Sequence, residues 1–434
     1  MIYFIGIGGI GVSALAQYYL EKGEKVSGSD LCPSQITELL EKKGAKIFIG
    51  KHKASNLKSQ NPDLVIYSPA ISPNNPELKF AKKLKIKCQS YPQALGELTK
   101  KYFTICVCGT HGKSTTTALI SLILIKANFD PTVILGTKLK EFQNSNFRKG
   151  NSQYLVIEAD ENFASFLNYW PKIIVLTNLE PDHLDFYKNF KNYILAFKKF
   201  IFKLPKDGIL IANKDDKNIF KILPQKKKIE FYSLSQPEAK KIKKILKIFG
   251  NFNVSNALAS LSLARVFKIP DNLSFEVFSQ YEGSWRRLET FNFKIDNLKG
   301  KLIIDYAHHP TEVELTLKAI KQKWKNKKII CIFQPHQYQR TYYLWDRFVK
   351  VFKEIHLEKI IITDIYEVPG RESKKIKEKV NSKKLVEKIN KKEVIYLEKE
   401  KIIPYLKKNL KPKEILVLMG AGDIYNLKEK LKIC

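Results

Sequence analysis

The stretch Cys108–Thr117, CGTHGKSTTT, decides how the rest of the chain is read. The apolar run YFTICV leads into it and ALISLILIK follows it. A strand therefore ends in a glycine-rich turn and a helix begins. The turn carries Gly-x-x-Gly-Lys-Ser, a shortened relative of the Walker A loop. Backbone N–H groups of Gly109, Thr110, His111, Gly112, Lys113 and Ser114, continued by Thr115, would wrap a triphosphate. Lys113 would reach its β and γ oxygens, and the Ser114 hydroxyl would hold Mg²⁺. The expected anion is ATP or GTP.

A second glycine-rich loop, GIGGIG at 6–11, lies at the N-terminus. It fits G-x-G-x-x-G between a strand and a helix, and Asp30 closes the next strand. Gly8, Gly9 and Gly11 would let backbone approach a pyrophosphate at a helix N-terminus, where N–H groups and the dipole favour an anion. NAD, FAD or a nucleotide-sugar diphosphate would each suit this loop. A dehydrogenase needs the first loop only and a simple ATPase needs the second only. Both together suggest a diphosphate-bearing substrate acted on at the expense of a nucleoside triphosphate.

The acids and histidines gather at the predicted ends of strands. EADEN (158–162) follows YLVI and offers Glu158 to a metal shell. TNLEPDHLDFY (177–187) supplies Asn178, Glu180, Asp182 and His183. DYAHHPTE (305–312) supplies Asp305, Tyr306, His308 and His309, and FQPHQYQRT (333–341) supplies His336 and Arg340. That edge of an open α/β sheet is where ligands bind. Arg286 and Arg287, in SWRRLE (284–289), stand at a predicted domain junction and could clamp phosphate or form a junction salt bridge.

The 434 residues suggest about three domains. Strands and helices alternate throughout, the pattern of parallel, doubly wound sheets. The expected fold is therefore α/β in three domains: an N-terminal Rossmann-like unit, a central P-loop ATPase-type unit and a C-terminal Rossmann-like unit. The expected boundaries are 1–98, 99–282 and 283–434. A helix is predicted over NVSNALASLSLARVF, capped by Asn253 or Ser255, and another over RTYYLWDRFVKVFKE. A strand is predicted over KIIITDIYEVPG.

Composition narrows the class. The six cysteines, at 32, 88, 106, 108, 331 and 434, form no metal-ligand spacing and read as reduced thiols of a cytoplasmic protein. No run approaches the ~20 apolar residues of a membrane span, and the N-terminus has no basic segment of a signal peptide. The formal charge is +33, from 76 Lys+Arg against 43 Asp+Glu. Lysine is scattered and interleaved with Glu, as in KKIKEKVNSKKLVEKINKKEV (374–394), with no nucleic-acid recognition module. A solvated surface, not a DNA-binding face, is the expectation.

Taken jointly, FIGIGGIGVSALA, GSD, GTHGKSTTT, EADE, TNLEPDHLDFY, NVSNALA, DYAHHPTE, FQPH with RT, and GAGDI resemble the ATP-dependent Mur ligases of bacterial peptidoglycan synthesis, in the family order. The pattern is nearest to members that join L-alanine to UDP-N-acetylmuramate. The resemblance implies a UDP-substrate domain, an ATPase domain and an amino-acid domain. It implies ATP and Mg²⁺, an acyl-phosphate intermediate, and a cytoplasmic monomer or weak homodimer without nucleic-acid or membrane partners. It places Ser114, Glu158 and His183 at metal positions, Asn256 at adenine and Asp305 at ribose. Tyr306, His308 and Arg340 fall near the amino acid and the transferring phosphate. Asp30, His52 and Ser68 fall on the uridine side. Four departures stand out: Phe252 in place of a usual His, Gln337 in place of a common Arg, Leu288 after the arginine pair, and Tyr67-Ser68-Pro69 in place of a Ser-rich pair. A related recycling ligase, which takes an intact tripeptide, shares most of these motifs.

Overall fold

Short runs of Ile, Val, Leu and Phe between turn residues form the strands, as expected where both faces of a parallel sheet are covered. The computed structural model describes residues 1–295, 298–368, 372 and 374–433. The chain divides into two compact units. The first comprises Met1–Glu180, Lys191–Ile245 and Ser255–Gln280; the second comprises Pro181–Phe190, Leu246–Val254 and Tyr281–Cys434.

The first unit holds two sheets. One contains β1 (Ile2–Ile5), β2 (Val26–Asp30), β3 (Lys46–Ile49), β4 (Leu64–Tyr67) and β5 (Lys87–Ser90), in the order β3-β2-β1-β4-β5. All its pairings are parallel. The carboxyl ends of its strands therefore share one edge, which carries the loops after Ile5, Asp30, Ile49 and Tyr67.

The other sheet contains β6 (Phe103–Cys108), β7 (Thr132–Leu139), β8 (Ser145–Arg148), β9 (Tyr154–Glu158), β10 (Ile173–Leu176), β11 (Ile209–Asn213) and β12 (Lys228–Tyr232). Its order is β12-β11-β10-β6-β9-β7-β8, parallel except for the β7–β8 edge pair. The central strand β6 feeds the helix Lys113–Lys126, whose apolar residues are buried nearly all round. Buried side-chain bonds join the two sheets' subunits of structure: Gln17 donates to Asn146 at 2.8 Å, and Ser145 donates to Gln17 at 2.9 Å.

The second unit holds β13 (Glu289–Ile295), β14 (Leu298–Asp305), β15 (Ile329–Phe333), β16 (Lys359–Ile362), β17 (Val394–Tyr396), β18 (Ile415–Met419) and β19 (Lys432–Ile433). The order is β17-β16-β15-β18-β14-β13-β19, with β13 antiparallel to both its neighbours. Asp305 and Phe333 end the two strands that flank β18, both parallel to it and each paired with Met419. Cores lie on both faces of this sheet.

Three sequence expectations change. The helix over NVSNALASLSLARVF runs Asn251–Val266, so Asn253 and Ser255 lie within it and neither is the residue that precedes its start. The single helix expected after Arg340 is two, Tyr338–Tyr343 and Trp345–Glu354, hinged at Leu344 with φ −110°. The strand expected over KIIITDIYEVPG ends at Ile362, and Pro369 and Gly370 fall outside the described residues. Cys106, Cys108 and Cys331 are buried free thiols, Cys88 is half-buried and Cys32 exposed; Cys434 is outside the described residues.

Candidate active site

The phosphate loop is held from both sides. Gly109 (φ +133°) and Gly112 (φ +80°) take backbone conformations that disfavour any side chain. A Cβ at Gly112 would also lie 2.3 Å from Asn256 Oδ1. Thr110 N donates to Asn178 O at 3.0 Å, and His111 N donates to Asn178 Oδ1 at 2.9 Å. Thr177 and Asn178 side chains both donate to His111 O, at 2.6 and 3.0 Å. The Thr110 hydroxyl lies 2.9 Å from the Tyr193 hydroxyl. The loop after β10 thus fixes the loop after β6.

Lys113 begins the helix and turns back over its own loop. Its Nζ donates to Gly109 O at 2.7 Å and Thr110 O at 3.2 Å, and pairs with Glu161 Oε2 at 2.9 Å. Burial alone would depress this ammonium, but Glu161, with Asp160 and Glu158, holds its pKa above the ordinary lysine value. It is charged at every working pH. Ser114 Oγ donates to Glu158 Oε1 at 3.0 Å, and Gly136 N donates to Glu158 Oε2 at 2.9 Å. A hydroxyl and a carboxylate at that spacing are hard oxygen donors of the kind Mg²⁺ takes, so the pair fits the ion. Thr115 is buried in the first turn of the same helix.

The first loop is built differently. Gly6 has φ +79°, and Gly8 N donates to Asp30 Oδ2 at 2.8 Å. Asp30 Oδ1 also accepts from Leu31 N at 2.8 Å. Asp30 therefore braces the loop itself. A Cβ at Gly8 would fall 2.9 Å from that carboxylate, and one at Gly11 would fall 2.8 Å from the Tyr91 ring. Gly9 would meet only ordinary contacts. Ser68 caps its own turn, its hydroxyl accepting from Ala70 N at 3.2 Å. His52 lies beside Ser29 and the buried Glu77, at 3.0 and 3.1 Å from Nδ1.

In the second unit, Arg340 is the hub. Its Nε donates to Asp182 Oδ1 at 3.0 Å and its Nη2 to Oδ2 at 3.4 Å. Nη1 lies 3.3 Å from His336 Nδ1. Burial would raise the Asp182 pKa, yet Arg340, His183 and His309 hold it well below the usual carboxylate range. His183 itself has φ +51° and stands 3.6 Å from Asp182. His183 belongs to the second unit, and Ser114 and Glu158 belong to the first.

His308 Nδ1 lies 3.1 Å from Tyr306 O and 3.3 Å from Glu312 Oε2, two acceptors, so its proton sits on Nδ1. Burial and the Arg340 cation push its pKa down to about 3, which leaves Nε2 an unprotonated acceptor. His309 is fully buried and caps the helix Pro310–Lys323, accepting from Thr311 N at 3.3 Å. Asp305 accepts from Leu288 N and Ala307 N, both at 2.9 Å, and burial raises its pKa to about 6.

Arg286 is committed to the fold. Its Nη2 donates to Gly420 O at 2.6 Å and Gly422 O at 2.8 Å, under the Tyr425 ring at 4.2 Å. It pins the GAGD loop, where the sequence suggested a phosphate clamp or a salt bridge. Arg287 instead lies 4.8 Å from the Tyr306 ring centroid and 4.0 Å from Glu312. Two residues in these networks were not singled out from sequence: Glu161 and Glu77. EADEN carries a weak signal for the first, as an acid at a strand end. Nothing local marks the second.

Three family models divide the chain between them: "Mur ligase family, catalytic domain" over residues 1–103, "Mur ligase middle domain" over 107–247, and "Mur ligase, glutamate ligase domain" over 286–422. The chain belongs to the Mur ligase family. It has that family's three-domain α/β architecture. A UDP-N-acetylmuramate–L-alanine ligase from Clostridium novyi (strain NT) is 38% identical over 451 residues, covering 99% of this chain and 96% of that protein. One from Acetivibrio thermocellus is 39% identical, covering 99% and 94%. The crystal structure of the UDP-N-acetylmuramate–alanine ligase MurC from Thermotoga maritima matches with a TM-score of 0.79 at 27% identity, covering 99% and 97%. A murein peptide ligase from Psychrobacter arcticus shares the fold at a TM-score of 0.73 and 22% identity.

Proposed function

We propose that this Mur ligase joins the carboxylate of UDP-N-acetylmuramate to the amine of L-alanine, with cleavage of ATP to ADP and phosphate, in the supply of peptidoglycan precursors. The observation that carries the reading is the near end-to-end identity with relatives named for that reaction, on a chain whose phosphate loop keeps Lys113, Ser114 and Glu158 in bonding reach of their partners. The domains proposed for it are 1–98 for the UDP substrate, 99–282 for ATP and 283–434 for the amino acid. The proposed setting is the cytoplasm, as a monomer or weak homodimer without nucleic acid or membrane.

A carboxylate is a poor electrophile, so its oxygen first attacks the γ-phosphorus and ADP leaves. The amine nitrogen then attacks the acyl carbon, a proton is lost, and phosphate leaves as the amide forms. Phosphoryl transfer is mostly positioning and charge neutralisation. Lys113 supplies a fixed cation at the loop, and Mg²⁺, held by Ser114, Glu158 and His183, would neutralise phosphate charge. In this reading Gly109, Thr110, His111, Gly112 and Thr115 wrap the phosphates, Asn256 meets adenine and Asp305 the ribose. Gly8, Gly9, Gly11, Asp30, His52 and Ser68 serve the UDP end.

Arg340 and Arg287, with Tyr306, serve the transferring phosphate and the amino acid. Arg340 is anchored by Asp182, so it neither wanders nor needs reorganisation. His308, neutral with a lone pair on Nε2, is suited to align the amine through one N–H. At a pKa of about 3 it is a hydrogen-bond acceptor first and a weak base second.

The test is phosphate release from ATP, Mg²⁺ and UDP-N-acetylmuramate, with L-alanine or the tripeptide L-Ala-γ-D-Glu-meso-diaminopimelate added in parallel. Release with L-alanine is expected, and Gln337 is then a tolerated departure. Release with the tripeptide alone would move the chain to peptidoglycan recycling.

A further inference from the structure

Beneath the ligand edge of the first sheet lies a buried carboxylate that the reaction does not use. Glu77 is fully buried, in the first turn of the helix Pro76–Lys83. The Asn75 side chain caps that turn, accepting from Glu77 N at 2.9 Å and Leu78 N at 3.1 Å. Glu77 Oε1 accepts from Tyr3 OH at 3.1 Å and Asn56 Nδ2 at 2.9 Å. Oε2 accepts from Ser29 Oγ at 2.5 Å and faces His52 Nδ1 at 3.1 Å. Burial pushes the Glu77 pKa up, but the bonds from His52, Ser29 and Asn56 outweigh it and leave it below the ordinary value.

An ionised Glu77 donates nothing. The Ser29 hydroxyl has one proton, and the 2.5 Å contact assigns it to Glu77. Ser29 Oγ can therefore only accept from His52 Nδ1, 3.0 Å away. Both neighbours of Nδ1 are acceptors, so Nδ1 carries the proton, and in the neutral ring Nε2 is then left with a lone pair. His52 lies in the loop after β3, on the edge where the strands' carboxyl ends meet, and its side chain is 10% exposed. Ser29 ties this network to the glycine loop, since its carbonyl accepts from Gly6 N at 2.8 Å and Ile7 N at 3.1 Å.

We propose that Glu77 is a positioning residue for substrate: it fixes His52 as the Nδ1–H tautomer, so that Nε2 accepts a hydrogen bond from an N–H or O–H of the nucleoside end of the UDP substrate. A phosphate oxygen carries no such donor at neutral pH, so this contact reads the nucleoside and leaves the diphosphate to the glycine loop. The inference rests on the reading of the first sheet as the UDP-binding module.

The test uses full-length protein labelled with ¹⁵N-histidine, free of substrate, with the His52 resonances assigned by their absence in His52→Gln. The wild type should show a protonated Nδ1 and an unprotonated Nε2 at His52. Glu77→Gln, whose amide can turn its NH₂ toward Nδ1, should shift that ring toward the Nε2–H form. By calorimetry Glu77→Gln should weaken UDP binding at least tenfold while KM for ATP stays within twofold. His52→Gln removes the ring that Glu77 holds and should itself weaken UDP binding several-fold, and adding Glu77→Gln to it should change the affinity less than twofold. A proton on Nε2 in the wild type would overturn the positioning role, as would an equal loss from Glu77→Gln in the His52→Gln background. Failure of the wild type to bind UDP at all, with the expected tautomer seen, would overturn the UDP reading and the substrate contact with it.

Discussion

Lys113 and Glu161 show how one residue pair serves both fold and chemistry. Glu161 is fully buried, and the Lys113 ammonium balances it. Removing one partner of a buried ion pair leaves a stranded charge, at a cost of about 3–5 kcal/mol. Lys113→Ala is therefore expected to abolish ligation and also to lower the urea midpoint. Calorimetry separates the two effects: UDP-N-acetylmuramate should bind nearly as before, because the glycine loop at 6–11 stands on another sheet. Loss of both activities would refute that division. His308 makes a pH prediction. Its folded pKa of about 3 lies below the unfolded value near 6.5, so neutral His308 adds stability that is full above pH 6.5. That stability fades as pH falls from 6.5 toward 3. In His308→Asn the decline of the unfolding midpoint across that window should be visibly shallower. An unchanged slope would mean that His308 is not held neutral.

At the scale of elements, strain is concentrated where loops leave the sheets. Gln337 has φ +70° and ψ 129°, a conformation that suits glycine, at the entry to the helix Tyr338–Tyr343. Such strain costs of order 1–3 kcal/mol, offset in a glycine variant by ~0.5–1 kcal/mol of unfolded-state entropy. Gln337→Gly should thus raise the unfolding free energy by about 1 kcal/mol, measured in urea; a loss would show that the Gln337 side chain is itself a structural tie. The elements that were legible in the sequence are those with a local cause. Runs such as KIIVL and EILVLM read as strands because both faces of a parallel sheet are apolar. The edge strand β5, KCQS, has no such run, and β13, ETFNFKI, pairs antiparallel and belongs to no crossover. The loops around Lys113 and Gly8 were legible because glycine and lysine spacing is local chemistry. The pairing of Arg340 with Asp182 spans 158 residues, and that of Glu77 with Ser29 spans 48, so only the folded chain discloses them.

At the scale of the whole molecule the question is what a charge of +33 does. Much of the lysine lies in the last turns of helices, as at Lys198 and Lys199, Lys243 and Lys244, Lys321 and Lys323, and Lys407 and Lys408. Cations there offset the negative end of the helix dipole by roughly 0.3–1 kcal/mol each. Charge distributed this way coats a surface. Like charges still repel, over a Debye length of about 30 Å at 0.01 M salt and about 10 Å at 0.1 M. The folded chain, being more compact than the unfolded one, suffers more from this repulsion. Thermal unfolding should therefore move to higher temperature as NaCl rises from 20 to 200 mM, the opposite of what a fold held by surface ion pairs would do. The same argument bears on partners. A dispersed cationic surface gives duplex DNA only the weak, sequence-independent affinity that falls steeply with salt. Duplex DNA at physiological salt should leave the rate of ATP hydrolysis unchanged in the presence of UDP-N-acetylmuramate and L-alanine. Stimulation by DNA, persisting at 200 mM salt, would show that the lysines form a site after all, and the ligase reading would then describe only part of what the chain does.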